Sequence, residues 1–302
     1  MSVDARAAIG TIVARNYLSF ARVLAASLAS QHPDLPFFVV VADDPDDVDG
    51  RDRDRMNVVR LAELGLPVPR EGWRRWTCQE FAVVLKPYLL RHLIDRGFPT
   101  ALFLDPDTLV VGDLAPVLHE VGRHPFTMVP HVLRPIDGPD RIARELVLLC
   151  AGTFNAGCIG ASKSSAAGAM LDWWSQRLVA ECSHSVGRGV YYDQRWLDLM
   201  PALFEGVHIL RDPGCNIAYW NVAEREVTID GGIVRANGRP ARFFHFSGFD
   251  PMCPSQVSRH ATALRVETIG AAQAMFARYA ELLLAADYAG TQGAPWGLAA
   301  AG

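Results

Sequence analysis

Lysine is almost missing from this chain. Of its 29 basic residues only Lys86 and Lys163 are lysines, so either one is worth following wherever a chemistry needs an ammonium group. No basic excess exists either: the formal net charge is -4, and arginines are dispersed. A nucleic-acid binder normally shows a basic balance gathered into a stripe, so that class is excluded. The six cysteines (Cys78, Cys150, Cys158, Cys182, Cys215, Cys253) include no C-x-x-C pair, which argues against a zinc site or a disulfide framework and leaves reduced, mostly buried thiols. No stretch approaches the roughly 18 consecutive apolar residues of a membrane span, and Met1–Arg6 runs into a mixed segment; a cytoplasmic protein is expected. Internal repeats and Ser- or Gly-rich linkers are also missing. What remains is 302 residues, 50% of them hydrophobic, enough for one large α/β domain or two small ones around a sizeable core.

Apolar runs alternate with helical periodicity through the first half. Ala7–Val13 reads as a strand, 16–30 as a helix with Tyr17, Ala21, Leu24 and Leu28 on one face, and 36–42 as a second, doubly covered strand. The acidic and arginine-rich stretch from Asp43 to Arg55, with Asp43-Asp44-Pro45-Asp46-Asp47 at its start, reads as a solvated loop without chemistry. A helix over 81–95 is kinked or reopened at Pro87. A strand is expected at 101–104 and another at 126–130, and helices over 141–149 and 164–180 flank the Gly-rich segment 154–161. Residues 227–246 read as strands around turns at Asp230-Gly231-Gly232 and Asn237-Gly238. From Ser255 onward the chain is expected to be mainly helical, with Met275, Tyr279, Leu282 and Ala286 along a face packed on the domain or on a second subunit.

Two segments carry the chemistry. In Phe103-Leu104-Asp105-Pro106-Asp107 a buried-strand pattern ends in two carboxylates one residue apart, and ligands of open α/β sheets bind beyond the carboxyl ends of such strands. Alternate side chains of an extended segment face one way, so Asp105 and Asp107 can aim at one divalent cation. Far along the chain, Phe244-His245-Phe246-Ser247-Gly248 places a histidine at the end of another apolar strand. A lone histidine there is more often a core residue; with two carboxylates it becomes a third ligand, and the mixed oxygen and nitrogen set favours Mn²⁺ over Mg²⁺.

With these two segments and two more in order, the chain resembles the nucleotide-sugar glycosyltransferases of the GT-A fold, especially the retaining family 8 type. The additional segments are Phe154-Asn155-Ala156-Gly157, similar to that family's sugar-binding Asn-Ala-Gly, and Tyr192-Asp193-Gln194, similar to its Asp-Gln pair opening a helix. The match spans residues 1 to about 250, and its specificity lies in the ordered set. It implies a Rossmann-like, mostly parallel central sheet flanked by helices, with residues 1–250 as the catalytic domain and 251–302 as a mainly helical extension packed on it. It implies transfer of a hexose from a nucleotide-diphosphate sugar, UDP-hexose first, to a glycan, lipid, natural-product or protein acceptor, with retention, and leaves a homo-oligomer open. Asp105, Asp107 and His245 would hold Mn²⁺ or Mg²⁺, which would stabilise charge on the leaving diphosphate. Asn155, Ala156 and Gly157 would hold the sugar, Asp193 its hydroxyls, and Gln194 would lie beside the anomeric carbon. Ser247 and Gly248, in the segment that carries His245, would contact the donor. Thr11, Arg15 and Tyr17 at the first strand's end, with Asp43 at the neighbouring one, would meet the base.

One departure is plain. The family's lysine shortly after His-x-x-Gly is missing here, where the chain continues Phe249-Asp250-Pro251-Met252-Cys253-Pro254. Lys86 is the first replacement to consider, ahead of Arg259 and His260. A rival resemblance is to haloacid-dehalogenase-type phosphohydrolases, because Asp105-Pro106-Asp107-Thr108 is similar to their Asp-x-Asp-x-Thr motif, with Asp105 as nucleophile but the threonine one position early. That chemistry needs a downstream lysine, for which only Lys163 exists, and a later acidic pair. A third reading is a non-catalytic nucleotide-sugar binder. The pairs Trp73/Trp76, Trp173/Trp174 and Tyr191/Tyr192 could stack on sugars, but such aromatics more often build core.

Overall fold

In the computed structural model, residues 7–43 and 50–297 are described. The expected acidic turn at 44–47 lies outside the described residues. The first seven strands in chain order are β1 (Ala7–Val13), β2 (Phe37–Val41), β3 (Asn57–Val59), β4 (Thr100–Leu104), β5 (Thr108–Val110), β6 (Phe126–Pro130) and β7 (Phe154–Ser162). All but β5 join the strand Val207–Ile209 in one sheet, ordered Val207–Ile209, β6, β7, β4, β1, β2, β3. β4, β1, β2 and β3 pair in parallel, as do Val207–Ile209 and β6, while β7 alone runs against both neighbours. Every residue of β1, β2, β4 and β7 is buried, as strands covered on both faces must be. The α/β fold with a mostly parallel sheet is thus the one the sequence led us to expect.

On one face lie the helices Cys78–Val84, Lys86–Asp95 and Ser165–Ala180, whose Phe81, Leu89, Leu93 and Trp174 form a core with β1, β4 and β7. Pro87 falls in the first turn of Lys86–Asp95, where its missing N–H costs no hydrogen bond, so it reopens the helix. The other face is covered by Leu18–Gln31 and Ala115–Arg123. Trp73 and Trp76 pack on Phe81 as core.

Four local expectations change. The short helix Gly50–Arg53 occupies part of the stretch read as loop, β3 follows just beyond it, and Asp52 is buried there against Arg22, with Oδ2 2.9 Å from Nη2. The Gly-rich segment 154–161, to which the sequence assigned no element, is a central strand; its small residues hide the apolar pattern. Residues 255–272 are mostly turns and 3₁₀ helix, and the tail helix begins at Gln273. That helix buries Met275, Phe276, Tyr279, Ala280 and Leu283, so Leu282 and Ala286 lie on its flank. Tyr279 stacks on Phe246 with ring centroids 3.9 Å apart, tying the tail to the segment that carries His245. All six cysteines are free, and among the described residues no helix is long and apolar enough to cross a membrane.

Candidate active site

The chain breaks out of β4 at Asp105, immediately beyond the sheet's carboxyl edge, and re-enters extended structure at β5. β5 leaves the main sheet and pairs antiparallel with Phe243–His245, in the register Thr108 opposite His245. Two backbone bonds lock that junction: Phe246 N–H donates to Asp107 O at 2.8 Å and His245 N–H to Ile217 O at 2.8 Å. His245 is thereby delivered to the carboxylates across 140 residues of sequence. Its Nε2 stands 3.1 Å from Asp107 Oδ1 and 3.8 Å from Asp105 Oδ2.

Gly157, on the antiparallel strand β7, forms the floor. A Cβ there would come within 2.5 Å of His245 Cε1 and 2.7 Å of Asp105 Oδ2, so only glycine leaves the space between these groups open. Asp105, Asp107 and His245 are one of two groups among the described residues whose ligand atoms all lie within 4.8 Å of one another. Two hard oxygens, one imidazole and a cradle that a methyl group would fill together fit a divalent cation.

A buried ammonium sits behind the carboxylates. Lys86 Nζ is 3.2 Å from Asp105 Oδ1 and 3.0 Å from Asp193 Oδ2, and donates to Ala156 O at 3.0 Å. Burial alone would lower its pKa; the two carboxylates outweigh it and hold the group above the usual lysine value. Burial raises the Asp105 carboxyl, only partly opposed by Lys86 and His245. Burial also acts upward on Asp107, but His245 overrides it and holds Asp107 low. His245 itself is raised: burial opposes its charge, and Asp107 more than compensates.

The residues expected to hold a sugar form one hydrogen-bonded chain. Gln194 Oε1 accepts from Asn155 Nδ2 at 2.9 Å and from Ala156 N–H at 3.2 Å, while its Nε2 donates to Ala151 O at 3.2 Å. Asn155 Oδ1 accepts from Gly157 N–H and from Asn216 Nδ2. Asn216 Oδ1 lies 3.0 Å from His245 Nδ1, so the donor expected there leaves Nε2 facing the carboxylates. Asp193 precedes the helix Gln194–Leu197 without capping it; its carboxylate is engaged by Lys86.

Asn216, Asn221, His131 and Trp220 were not anticipated. Asn216 adopts φ of +55°, a left-handed conformation that asparagine tolerates, and Asn221 donates to its carbonyl and to His131 O. Burial lowers His131 to about 4, so it is neutral beside Asn155. Trp220 meets the His245 ring edge-on at 5.1 Å. Two asparagines bracketing Tyr219-Trp220 were the visible signal.

At the end expected to meet the base, Tyr17 lines a cavity of about 240 Å³ together with Asp107, Gly248, Asp250, Arg259 and Tyr288. Gly248 has φ of +70°, and a Cβ would collide with Ser258 and His260, so it lets that loop pack close. Ser247 O accepts from Ser258 Oγ and Gly248 O from Arg259 N–H, which brings exposed Arg259 into the cavity wall. Asp43 accepts from Arg15 N–H and lies 3.3 Å from Arg15 Nε; Arg15 also donates to Pro295 O. Thr11 is fully buried and its hydroxyl donates to Leu104 O, so it ties β1 to β4. Lys163 is exposed, its N–H donating to Pro99 O at the opposite end of β4 from Asp105, where it cannot serve a phosphoaspartate chemistry.

No protein-family model matches the chain. Among curated proteins, the uncharacterized protein YfnF of Bacillus subtilis (strain 168) is 26% identical over 251 residues, 79% of this chain and 80% of that one. Among solved structures, the galactosyltransferase LgtC in complex with donor and acceptor sugar analogues aligns with TM-score 0.52 at 17% identity, covering 95% of this chain and 97% of that one. The glycosyltransferase GlyE of Streptococcus pneumoniae TIGR4, in its apo form, aligns with TM-score 0.51 at 14% identity, covering 95% of this chain and 64% of that one. By its sheet order, its helical layers and these neighbours, the chain has the GT-A glycosyltransferase fold.

Proposed function

We propose that the protein is a metal-dependent glycosyltransferase that moves a hexose from a nucleotide-diphosphate sugar, UDP-hexose first, to an acceptor hydroxyl with retention. The observation that carries this reading is the convergence of Asp105, Asp107 and His245 over Gly157, beside the Asn155–Gln194 pair. Asp105, Asp107 and His245 would hold Mn²⁺ or Mg²⁺, which supplies positive charge to the leaving diphosphate.

The chain's own residues do the remaining work. Asn155 and Asp193 orient the sugar, and the amide dipole of Gln194, held by three hydrogen bonds, faces the carbon that gains oxocarbenium character. The bond between the anomeric carbon and the diphosphate oxygen breaks as the acceptor oxygen bonds to the same face, and the acceptor proton passes to a donor phosphate oxygen; no protein base is required.

The missing lysine is replaced by Arg259 in this reading. Lys86 has its ammonium engaged by Asp105, Asp193 and Ala156 O, so its role is to keep the carboxylates together. Arg259 stands in the wall of the cavity that contains Asp107, where a guanidinium can grip phosphate oxygens through paired N–H groups. Tyr17 and the Arg15–Asp43 pair border the base, and Thr11 contributes as a strand tie. Residues 1–250 form the catalytic domain, with the extension 251–302 supplying Arg259.

The test is nucleoside-diphosphate release from a panel of nucleotide sugars with Mn²⁺. Wild type should hydrolyse one donor slowly, Asp107→Ala should abolish release, and Arg259→Ala should weaken donor binding about tenfold or more. Donor binding without release points to the non-catalytic binder, and a phosphoenzyme at Asp105 refutes the transferase.

A further inference from the structure

We propose that Glu120, His124 and His208 form a second, zinc-selective cation site that fastens the edge strand Val207–Ile209 to the helix Ala115–Arg123. Their ligand atoms lie within 4.8 Å of one another, making them the other such group among the described residues. Glu120 is in that helix, one turn before His124, which caps its end, so both side chains share one face. His208 is the middle residue of the edge strand, paired with Thr127 of β6.

Both imidazoles turn the same atom toward the same carboxylate oxygen. His124 Nε2 is 3.6 Å and His208 Nε2 is 3.8 Å from Glu120 Oε2, too far for hydrogen bonds. A tetrahedral ion with bonds of about 2.0–2.1 Å holds its ligand atoms about 3.3 Å apart, so each nitrogen is within a few tenths of an ångström of the spacing to Glu120 Oε2 that an ion needs. The two rings lie parallel with centroids 4.3 Å apart, so their in-plane lone pairs do not converge in the empty site, and seating an ion turns the partly exposed imidazoles out of the stack. All three side chains are a quarter to a third exposed, so an ion can enter from solvent and keep a water as fourth ligand.

Chemistry separates this site from the first. Two imidazoles and one carboxylate favour Zn²⁺ over Mn²⁺ or Mg²⁺, whereas Asp105 and Asp107 supply hard oxygens. Burial, His124, Arg211 and Arg123 together oppose protonation of His208 and outweigh Glu120, which leaves its ring nitrogen free to take a metal. Position separates them too. His124 lies two residues before β6, at the amino end of the strands running parallel to β4, and Asp105 follows β4's carboxyl end. Such an ion would be structural: it pins a three-residue edge strand that pairs on one side only.

The experiment uses the full chain carrying Asp107→Ala and His245→Ala, which removes the first site's ligands. Titration with Zn²⁺, and with Co²⁺ read by its tetrahedral visible absorption, should give one bound ion, and saturating Zn²⁺ should raise Tm by about 5 °C. Adding His208→Ala should weaken binding about 100-fold and abolish the Tm shift, as should Glu120→Gln if the first variant folds poorly. No binding in the parent, or binding and a Tm shift unchanged by both substitutions, overturns the site. Loss of sugar transfer would not bear on it, because the readout is metal binding in a protein already lacking the first site.

Discussion

His245 Nε2 lies 3.1 Å from Asp107 Oδ1 because His245 and Thr108 are opposite one another in an antiparallel pair, one residue beyond the aspartate. The proposed ligand set is therefore built by strand register. A proline at 109, 244 or 246 that broke this pairing should remove metal affinity before it unfolds the domain.

The pH dependence of metal binding follows from His245. Its pKa is raised because Asp107 outweighs burial, so in the metal-free protein a proton occupies the site up to a pH above the usual imidazole value. A metal must displace that proton. Mn²⁺ affinity, read by electron paramagnetic resonance, should rise about tenfold per pH unit up to the raised pKa and level off beyond it. The same shift gives the metal-free fold a stabilising contribution that is complete below the unfolded value of about 6.5 and is lost as pH rises through the folded one.

Gly157→Ala places a methyl group where the cation would sit, 2.5 Å from His245 Cε1. The backbone at this position is an ordinary strand, so circular dichroism should be nearly unchanged while Mn²⁺ affinity falls about 100-fold or more.

Lys86→Met should cost about 3–5 kcal/mol in urea denaturation, since it strands two carboxylates that the ammonium compensates. Adding Asp193→Asn should restore part of that loss. The double-mutant cycle should give a coupling of about 1–3 kcal/mol between the two positions; additive effects would show that Lys86 does not hold Asp193.

His131 is neutral in the fold, with its pKa lowered to about 4 by burial. The unfolded chain binds this proton first, so the contribution is intact above about 6.5 and is lost as pH falls toward 4, in total about 3 kcal/mol. His131→Gln should flatten the decline of urea stability over that interval.

Much of the sheet was legible because each parallel strand is an apolar run closed by a breaker. Ala7–Val13 and Phe126–Pro130 coincide with their expected limits. β7 escaped because Ala156, Gly157, Gly160 and Ala161 carry almost no side chain, and an antiparallel strand inside a parallel sheet shows no alternation when both faces are covered. In the site, Asp105, Asp107 and His245 converge as their residue types suggested. The role of Lys86 could not be read, because its proximity to both Asp105 and Asp193 depends on how a helix lies over β1 and β7. Asn216 and Asn221 were marked only by their bracketing of Tyr219-Trp220, because loop residues that orient a neighbouring side chain have no periodicity to single them out.

The most direct test is an Mn²⁺ titration of the wild type and of Asp107→Ala, followed by electron paramagnetic resonance. One ion bound by the wild type and lost in the variant is the predicted result. Equal binding by both proteins, or none by the wild type, would contradict a metal site at Asp105, Asp107 and His245.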